Sequence, residues 1–343
     1  MSRSVLTLLV AGAGVLAALI VAVFAPVPYV ALTPGPTLNT LGRSAGQPLI
    51  QINGHPTYPV KGHLNMVTVS FLGGPGTGFN IIAALRAWLS PQDAVVPQEE
   101  IFTPGQSQQQ VAKQDTAEMV NSQESATAAA LCQLNISFKT IDTIQSTVAG
   151  MPAVGVLRKG DIIAAVNGVP VSCRRDAAAL IRAGQPKTPV RLTIDRGGRT
   201  LHIKVVTADV SGQAVVGVQA AESFVFPFTV KIKIGDIGGP SAGLMFALGI
   251  IDKITPDNLT GGRFIAGTGE IEADGTVDPI GGIQQKMVGA RAAGATVFLT
   301  PAANCPDTAR AVPAGLRLIK VSTLAGAVSA LQALQAGRSV PSC

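Results

Sequence analysis

Gly238-Gly239-Pro240-Ser241-Ala242-Gly243, followed by the uncharged run Leu244 to Ile251, places a serine where a glycine-rich turn becomes a helix that is apolar on every side. The first turn of a helix leaves backbone N–H groups without acceptors and carries partial positive charge. Those donors suit a developing oxyanion, so a hydroxyl at this point is a candidate nucleophile. A serine there is also an ordinary helix cap, and this stretch taken alone favours the cap. The choice depends on which base the rest of the chain supplies.

Gly239-x-Ser241-x-Gly243 spells G-x-S-x-G, the nucleophile elbow of α/β-hydrolases, a fold that needs a histidine after the serine in chain order. The three histidines, His55, His63 and His202, all precede Ser241, and none sits in a recognisable catalytic context. A lysine serves as base when burial keeps it neutral. Three lysines follow Ser241. Lys253 closes an apolar helix beside Asp252, where a cation complements the helix dipole. Lys320 lies in the strand Leu316–Val321, whose neighbours leave its direction open. Lys286 shares one helical face with Ile283, Met287, Ala290 and Ala293, so it points toward the core. Moving a lysine from about 10.4 to about 7 corresponds to roughly 4.6 kcal/mol of disfavoured charge. The competing reading is a lysine whose stem covers apolar surface while its head reaches water.

Around these two helices the chain alternates strands and helices. Downstream, Arg263–Ala266 reads as a strand, Gly267-Thr268-Gly269-Glu270-Ile271 leads to the hairpin signal Asp274-Gly275, and a helix follows over Ile283–Ala293. Thr296–Thr300 and Leu316–Val321 are strands, and Leu324–Gln335 is a final helix. Upstream, Phe226–Ile234 and Asn65–Phe71 alternate as half-buried strands do, Asn80–Leu89 is helical, Thr103–Gln110 is a flexible polar loop, and Asp115–Leu134 has helical spacing. The pattern predicts an α/β or α+β core.

Between Ser137 and Ala208 the texture differs. Val154 to Val171, including Leu157-Arg158-Lys159-Gly160-Asp161-Ile162-Ile163 and Val166-Asn167-Gly168, reads as strand, turn, strand, turn; a short helix Arg174–Ala183 and the hairpin Val190–Asp195/Thr200–Val206 follow. This stretch resembles a bacterial-type PDZ domain, a family in which a peptide tail adds as a strand beside a groove helix. The expected groove lies between the strand near Phe138–Thr147 and the helix Arg174–Ala183. No carboxylate-binding loop is recognisable, and a PDZ fold serving only as a spacer is the alternative.

The bulk properties restrict the setting. The chain has 343 residues, a net charge of +6, 13% charged and 47% apolar residues. Its basic residues are scattered and do not interleave with aromatics, which argues against nucleic-acid binding. Val5–Phe24 carries no charge and is long enough to span a bilayer. A signal peptide cut after Val23-Phe24-Ala25 competes, but Pro26 would follow the cut, so an uncleaved anchor is preferred. Arg3 on the near side puts the N-terminus in the cytoplasm and the rest of the chain outside. The four cysteines show no metal-site spacing, and no metal or cofactor is expected. In an oxidising compartment they form two disulfides with three possible connectivities, of which Cys132–Cys173 with Cys305–Cys343 is favoured because each pair stays within one region.

Pro240-Ser241-Ala242-Gly243, then Thr268-Gly269-Glu270-Ile271 and Val277-Asp278-Pro279-Ile280-Gly281-Gly282-Ile283-x-x-Lys286, together resemble the proteolytic domain of Lon proteases. The resemblance implies a Ser241–Lys286 catalytic dyad, with Thr268 supporting the lysine and Gly239, Pro240 and Glu270 completing the surrounding motif. Met119–Ala126 looks like that family's helix preceding the serine strand. The implied fold class is α+β: a Lon-type proteolytic domain with an inserted PDZ domain and an N-terminal transmembrane helix. The expected division is an anchor at 1–30, an extended Pro/Gly-rich segment at 31–61, protease parts at 62–136 and 209–340, and PDZ at 137–208. No G-x-x-x-x-G-K-[ST] phosphate loop occurs in the chain. Three residues before the serine, where many Lon proteins carry aspartate, stands Gly238, with Asp236 two further back. The implied function is an ATP-independent serine endopeptidase, anchored in the membrane and facing outward, acting on protein or peptide substrates that are unstructured or partly unfolded. A homo-oligomer, a hexameric ring in that family, is also implied. A membrane scaffold with an inert Lon-like domain and a recruiting PDZ groove is the alternative.

Overall fold

The computed structural model describes residues 3–343 apart from Ala45, Asp236 and Arg310. An uninterrupted helix, α1 (Arg3–Phe24), leads the chain. Its segment Arg3–Val21 is long and apolar enough to cross a bilayer and none of it is buried, which suits either a membrane span or a signal sequence. Then come strands β1 (Tyr29–Asn39), β2 (Ile50–Asn53) and β3 (His63–Leu72), helix α2 (Ile81–Trp88), strand β4 (Ala94–Pro97) and the long helix α3 (Gln108–Gln133). Strands β5 (Lys139–Thr147) and β6 (Ile162–Val166) follow, then helix α4 (Ala177–Arg182), the hairpin β7 (Pro189–Arg196) and β8 (Arg199–Val206), and strand β9 (Val218–Val225). The last third holds β10 (Thr229–Ile232), α5 (Gly243–Ile254), β11 (Phe264–Gly267), β12 (Glu270–Ile271), β13 (Val277–Asp278), α6 (Ile283–Ala292), β14 (Val297–Pro301), β15 (Arg317–Val321) and α7 (Leu324–Gln335).

The main sheet has the order β15-β14-β11-β3-β1-β4. Its first four strands are parallel, while β1 runs antiparallel to both β3 and β4. Strand periodicity sends alternate residues to opposite faces. Leu64, Met66, Ile265 and Leu299 therefore meet α5, α3 and α7 in one core, whereas Val67, Ala266 and Phe298 meet Ile283, Met287 and Ala290 of α6 in another. Helix α5 is buried along almost its whole length, which explains a sequence apolar on every side. The fold is α+β, as expected.

The stretch 31–61, expected as an extended Pro/Gly-rich segment outside the protease unit, is instead part of it. Strand β1 lies inside the main sheet and β2 pairs with β10. The prolines misled because proline is excluded from ladders except at edges and bulges. Here the pairing of β1 with β3 shifts register between Pro34 and Thr37, so the prolines sit at that irregularity. Helix α3 also begins earlier than its apolar spacing indicates. Ser107 caps it by accepting from the Gln110 amide while the Gln110 side chain accepts from the Ser107 amide. This S-x-x-Q capping box lay inside the stretch read as a polar loop.

The second sheet, in the order β8-β7-β6-β5-β9, encloses a separate core of Ile144, Leu157, Ile163, Ile181, Leu192 and Ile194. The Leu-Arg-Lys-Gly-Asp pattern serves this unit structurally. Asp161 is buried and accepts two 2.7 Å hydrogen bonds from the Arg196 guanidinium, which together with the Arg158 amide holds its carboxyl below the usual range. Val154–Val156, expected as strand, forms turns. The expected groove strand, β5, has both edges paired, to β6 and to β9. On that side of the sheet the edge strand is β9, which follows the hairpin and extends the sheet beyond Ala208. This strand lies beyond the hairpin, outside the PDZ-like pattern of the sequence. Phe226–Ile234 is strand only over Thr229–Ile232.

Both favoured cysteine pairs are joined, Cys132–Cys173 and Cys305–Cys343. The first fastens the end of α3 to the loop before α4, where Arg174 also donates to the Cys132 carbonyl.

Candidate active site

Parallel strand β11 ends at Gly267 opposite Met66, while β3 continues to Leu72. The sheet therefore forks, and β3 beyond Met66 keeps one edge open. The N-terminus of α5 arrives at this fork from one face and the first turn of α6 from the other. The C-terminal ends of parallel strands are where open α/β sheets bind ligands. A cleft of about 790 Å³ opens here, with Met66, Val69, Phe71, Met119, Ser241 and Lys286 among its lining residues.

Backbone constraints set the serine turn. Gly239 has φ +86°, a conformation that side chains with a Cβ rarely adopt. Gly238 lies against α3 so closely that a Cβ there would come within 2.4 Å of Asp115 Cβ. The aspartate carried at this place by many Lon proteins has no room in this chain. Asp236 lies outside the described residues. The Gly239 amide donates to the Asp115 carbonyl at 3.1 Å, and Ser122 Oγ donates to the Pro240 carbonyl at 2.8 Å. Helix α3 thus straps the turn in place. Ser241 does not cap α5: the cap residue is Ala242, with no side-chain capping bond.

Lys286 is 2% exposed, and its Nζ lies 2.8 Å from Ser241 Oγ and 3.1 Å from Thr268 Oγ1. No carboxylate pairs with it among the described residues. Burial alone moves its amine down to about 7, so close to neutrality about half is uncharged. Buried Thr268 donates its hydroxyl to the Ser241 carbonyl at 2.9 Å, which leaves an oxygen lone pair for Lys286. The Gly269 amide donates to that same carbonyl at 2.9 Å. The amides of Ser241 and Ala242 have no acceptor among the described residues.

The remaining expected residues are placed as follows. Gly239 and Pro240 form the turn. Glu270 lies in β12, half-buried, and makes no hydrogen bond to Ser241 or Lys286; burial and then the charges of Glu272, Asp278 and Glu118 push its carboxyl up. Lys320 is exposed, and Lys253 sits beside Asp252 at the far end of α5. His55 packs on Phe228, His63 on Phe264, and His202 contacts Thr193, so no histidine lines the cleft. Sequence reasoning missed Ser122 and Asp115, which hold the turn, and the walls built from β1 and β3. The Ser107 capping box would have revealed that α3 reaches far enough to line the cleft with Gln108 and Val111.

Residues 232–332 match the C-terminal proteolytic domain of Lon protease (S16), and residues 107–207 match the PDZ domain. The chain thus carries a Lon-type proteolytic domain together with a PDZ domain. It is similar to Lon protease from Roseiflexus castenholzii, at 42% identity over 69 residues, which is 20% of this chain and 8% of that one. Lon protease 2 from Herpetosiphon aurantiacus is 45% identical over 69 residues, again 20% of this chain and 8% of that protein. A solved PDZ domain of an SdrC-like protein from Listeria monocytogenes covers 23% of this chain and 85% of its own, at 17% identity and a TM-score of 0.22. The chain thus spans about 8% of the length of those two curated relatives.

Proposed function

We propose that this chain is an endopeptidase in which Ser241 is the nucleophile and Lys286 its general base. The observation that carries the reading is a 2.8 Å contact between the Ser241 hydroxyl and an amine that is 2% exposed and lowered to about 7. In the acylation step neutral Lys286 accepts the hydroxyl proton as Ser241 Oγ bonds to the peptide carbonyl carbon. The carbonyl π electrons move to oxygen, where the Ser241 and Ala242 amides, unpartnered among the described residues, stabilise the charge, each such donor contributing about 2.7–4 kcal/mol. When the tetrahedral intermediate collapses, the C–N bond breaks and the lysine returns its proton to the leaving amine. Water then attacks the ester carbonyl while Lys286 takes its proton; the bond to Ser241 Oγ breaks, the lysine returns the proton to that oxygen, and the second fragment leaves as the acid. Thr268 keeps the amine aimed at Ser241.

In this reading cleavage is independent of ATP and favours unstructured or partly unfolded chains; stimulation of cleavage by added ATP and magnesium would contradict it. Helix α1 anchors the protein, and Arg3 before it places the N-terminus in the cytoplasm and the catalytic unit outside. A reporter active only in the cytoplasm, fused to the C-terminus, will be silent; activity there would reverse the topology. The PDZ unit recruits or gates substrate through the edge that β9 leaves open. The Lon-like unit forms a ring of copies.

A serine-reactive fluorophosphonate will label Ser241 in the intact chain, and both Ser241→Ala and Lys286→Ala will abolish cleavage of an unfolded protein. Full cleavage by either variant would remove the dyad. Absence of labelling between pH 6 and about 9, where the lysine passes through its titration, would favour an inert scaffold instead.

A further inference from the structure

Helix α2 is amphipathic in the reverse sense. At about 100° per residue, Ile81, Ile82, Leu85, Trp88 and Leu89 occupy a single arc of about 120°. All five side chains are exposed, Trp88 by 71% and Leu89 by 76%. The opposite side, with Ala83, Ala84 and Ala87, packs on Ala31, Phe79 and Val95 beneath it. A surface helix normally turns its large apolar residues inward and its small or polar residues to water. Here the alanines face the protein and the isoleucine, leucine and tryptophan side chains face out, a contiguous patch that marks an interaction surface.

The position of α2 identifies what covers that face. Asn80, which caps α2, donates its side-chain amide to the Val23 carbonyl at 2.7 Å, and Pro26 forms a bridge with the same Asn80. The Val27 amide donates to the Phe79 carbonyl at 2.8 Å. The patch is therefore tied by hydrogen bonds to the C-terminal end of α1, where a spanning helix leaves the bilayer. We infer that α2 lies in the lipid interface beside that exit point, its outer face set among the headgroups and upper acyl chains. Tryptophan is enriched at that depth, and Arg86 on the flank of the stripe suits anionic headgroups. Gly73, Gly74 and Thr77, which line the cleft, belong to the loop leading into α2, so this docking holds the cleft next to the bilayer surface.

The inference rests on α1 being the membrane anchor, and the test separates the two. Trp88 is the chain's only tryptophan. The full chain is reconstituted into vesicles of phosphatidylcholine and phosphatidylglycerol and recovered by flotation. Trp88 emission is then read with lipids brominated on the acyl chain and with aqueous iodide. The expected result is flotation, loss of emission with brominated lipid, and shielding from iodide. Leu85→Gln with Leu89→Gln, both at exposed positions, will float equally but lose the lipid quenching and gain iodide quenching. A floating protein whose Trp88 is quenched by iodide and indifferent to brominated lipid overturns the docking and leaves the anchor standing. Emission shielded from iodide yet insensitive to brominated lipid, and dependent on protein density, assigns the face to a second copy and overturns it too. Failure to float removes the anchor and the docking together.

Discussion

Lys286 reaches Ser241 from the opposite face of the main sheet: α6 and α5 lie on different sides, and the 2.8 Å contact is made where β11 has ended and β3 has not. The amine is buried without a counter-ion among the described residues, so its protonation state bears on the stability of the fold and, under the proposed dyad, on the reactivity of the serine.

The pH profile follows from that burial. Only the neutral amine accepts a proton, and the folded-state value is about 7 instead of the ordinary 10.5. The rate constant for labelling Ser241 is expected to rise with pH through about 7 and level off above it. A profile still climbing steeply toward the ordinary lysine value would mean that Lys286 is not the base.

Stability should move in the opposite direction when the amine is removed. Below about 7 the lysine is charged in both folded and unfolded chains, and burying it costs roughly 5 kcal/mol. Between about 7 and 10.5 the unfolded chain holds the proton that the folded one lacks, so that cost is relieved as pH rises. Lys286→Met, which keeps the length and loses the charge, should be more stable than the parent near pH 6. The gain, reduced by about 1–2 kcal/mol for the hydroxyls left unpartnered, should shrink toward pH 10. Urea unfolding at the two pH values measures it; a variant less stable at both would contradict the assignment.

Thr268→Val preserves shape and deletes the hydroxyl that bonds both the Ser241 carbonyl and Lys286. Losing the aim of the amine is expected to lower kcat by about tenfold with KM little changed, a loss of about 1.4 kcal/mol. Thr268→Ser should recover most of it. Equal effects on kcat and KM would reduce the threonine to a packing residue.

Gly238→Ala presses a Cβ onto Asp115 and should cost about 1–3 kcal/mol while slowing labelling of Ser241. Asp115→Gly in the same chain removes the opposing Cβ. The two changes should therefore be less harmful together than their sum, which a double-mutant cycle reads as coupling. Additive losses would show that the turn does not depend on this approach.

Replacing Cys132 and Cys173 by serine opens a loop spanning 41 residues. Chain entropy puts the loss at roughly 4 kcal/mol, expected as a lower Tm, with earlier proteolysis in the PDZ unit than in the protease unit. An unchanged Tm would mean that Arg174 and the β9 pairing suffice to hold the junction.

Three short motifs carried most of what could be read locally: a serine at a glycine turn, a lysine on an apolar helical face, and a Thr-Gly-Glu block at a strand end. Helices α5, α6 and α7 were legible for the same reason, since their apolar spacing is dictated by neighbours within a turn. Strand β1 was not, because its prolines signal an ordered segment only once the bulge against β3 is known. Strand β9 was not either, because nothing local announces that it will pair with a strand more than 70 residues earlier.

By itself, the sequence determined the chemistry available: an apolar leading helix, a serine without a downstream histidine, and a lysine facing the core, each set by residue type and short-range periodicity. Tertiary structure alone decided that this lysine meets this serine. The contact joins residues 45 apart in the chain and depends on where β11 stops beside β3. It also decided that Ser241 lies just outside the cap of α5, that Gly238 has no room for a side chain, and that α2 turns its large apolar residues outward. These are outcomes of packing between distant segments, and no local pattern encodes them.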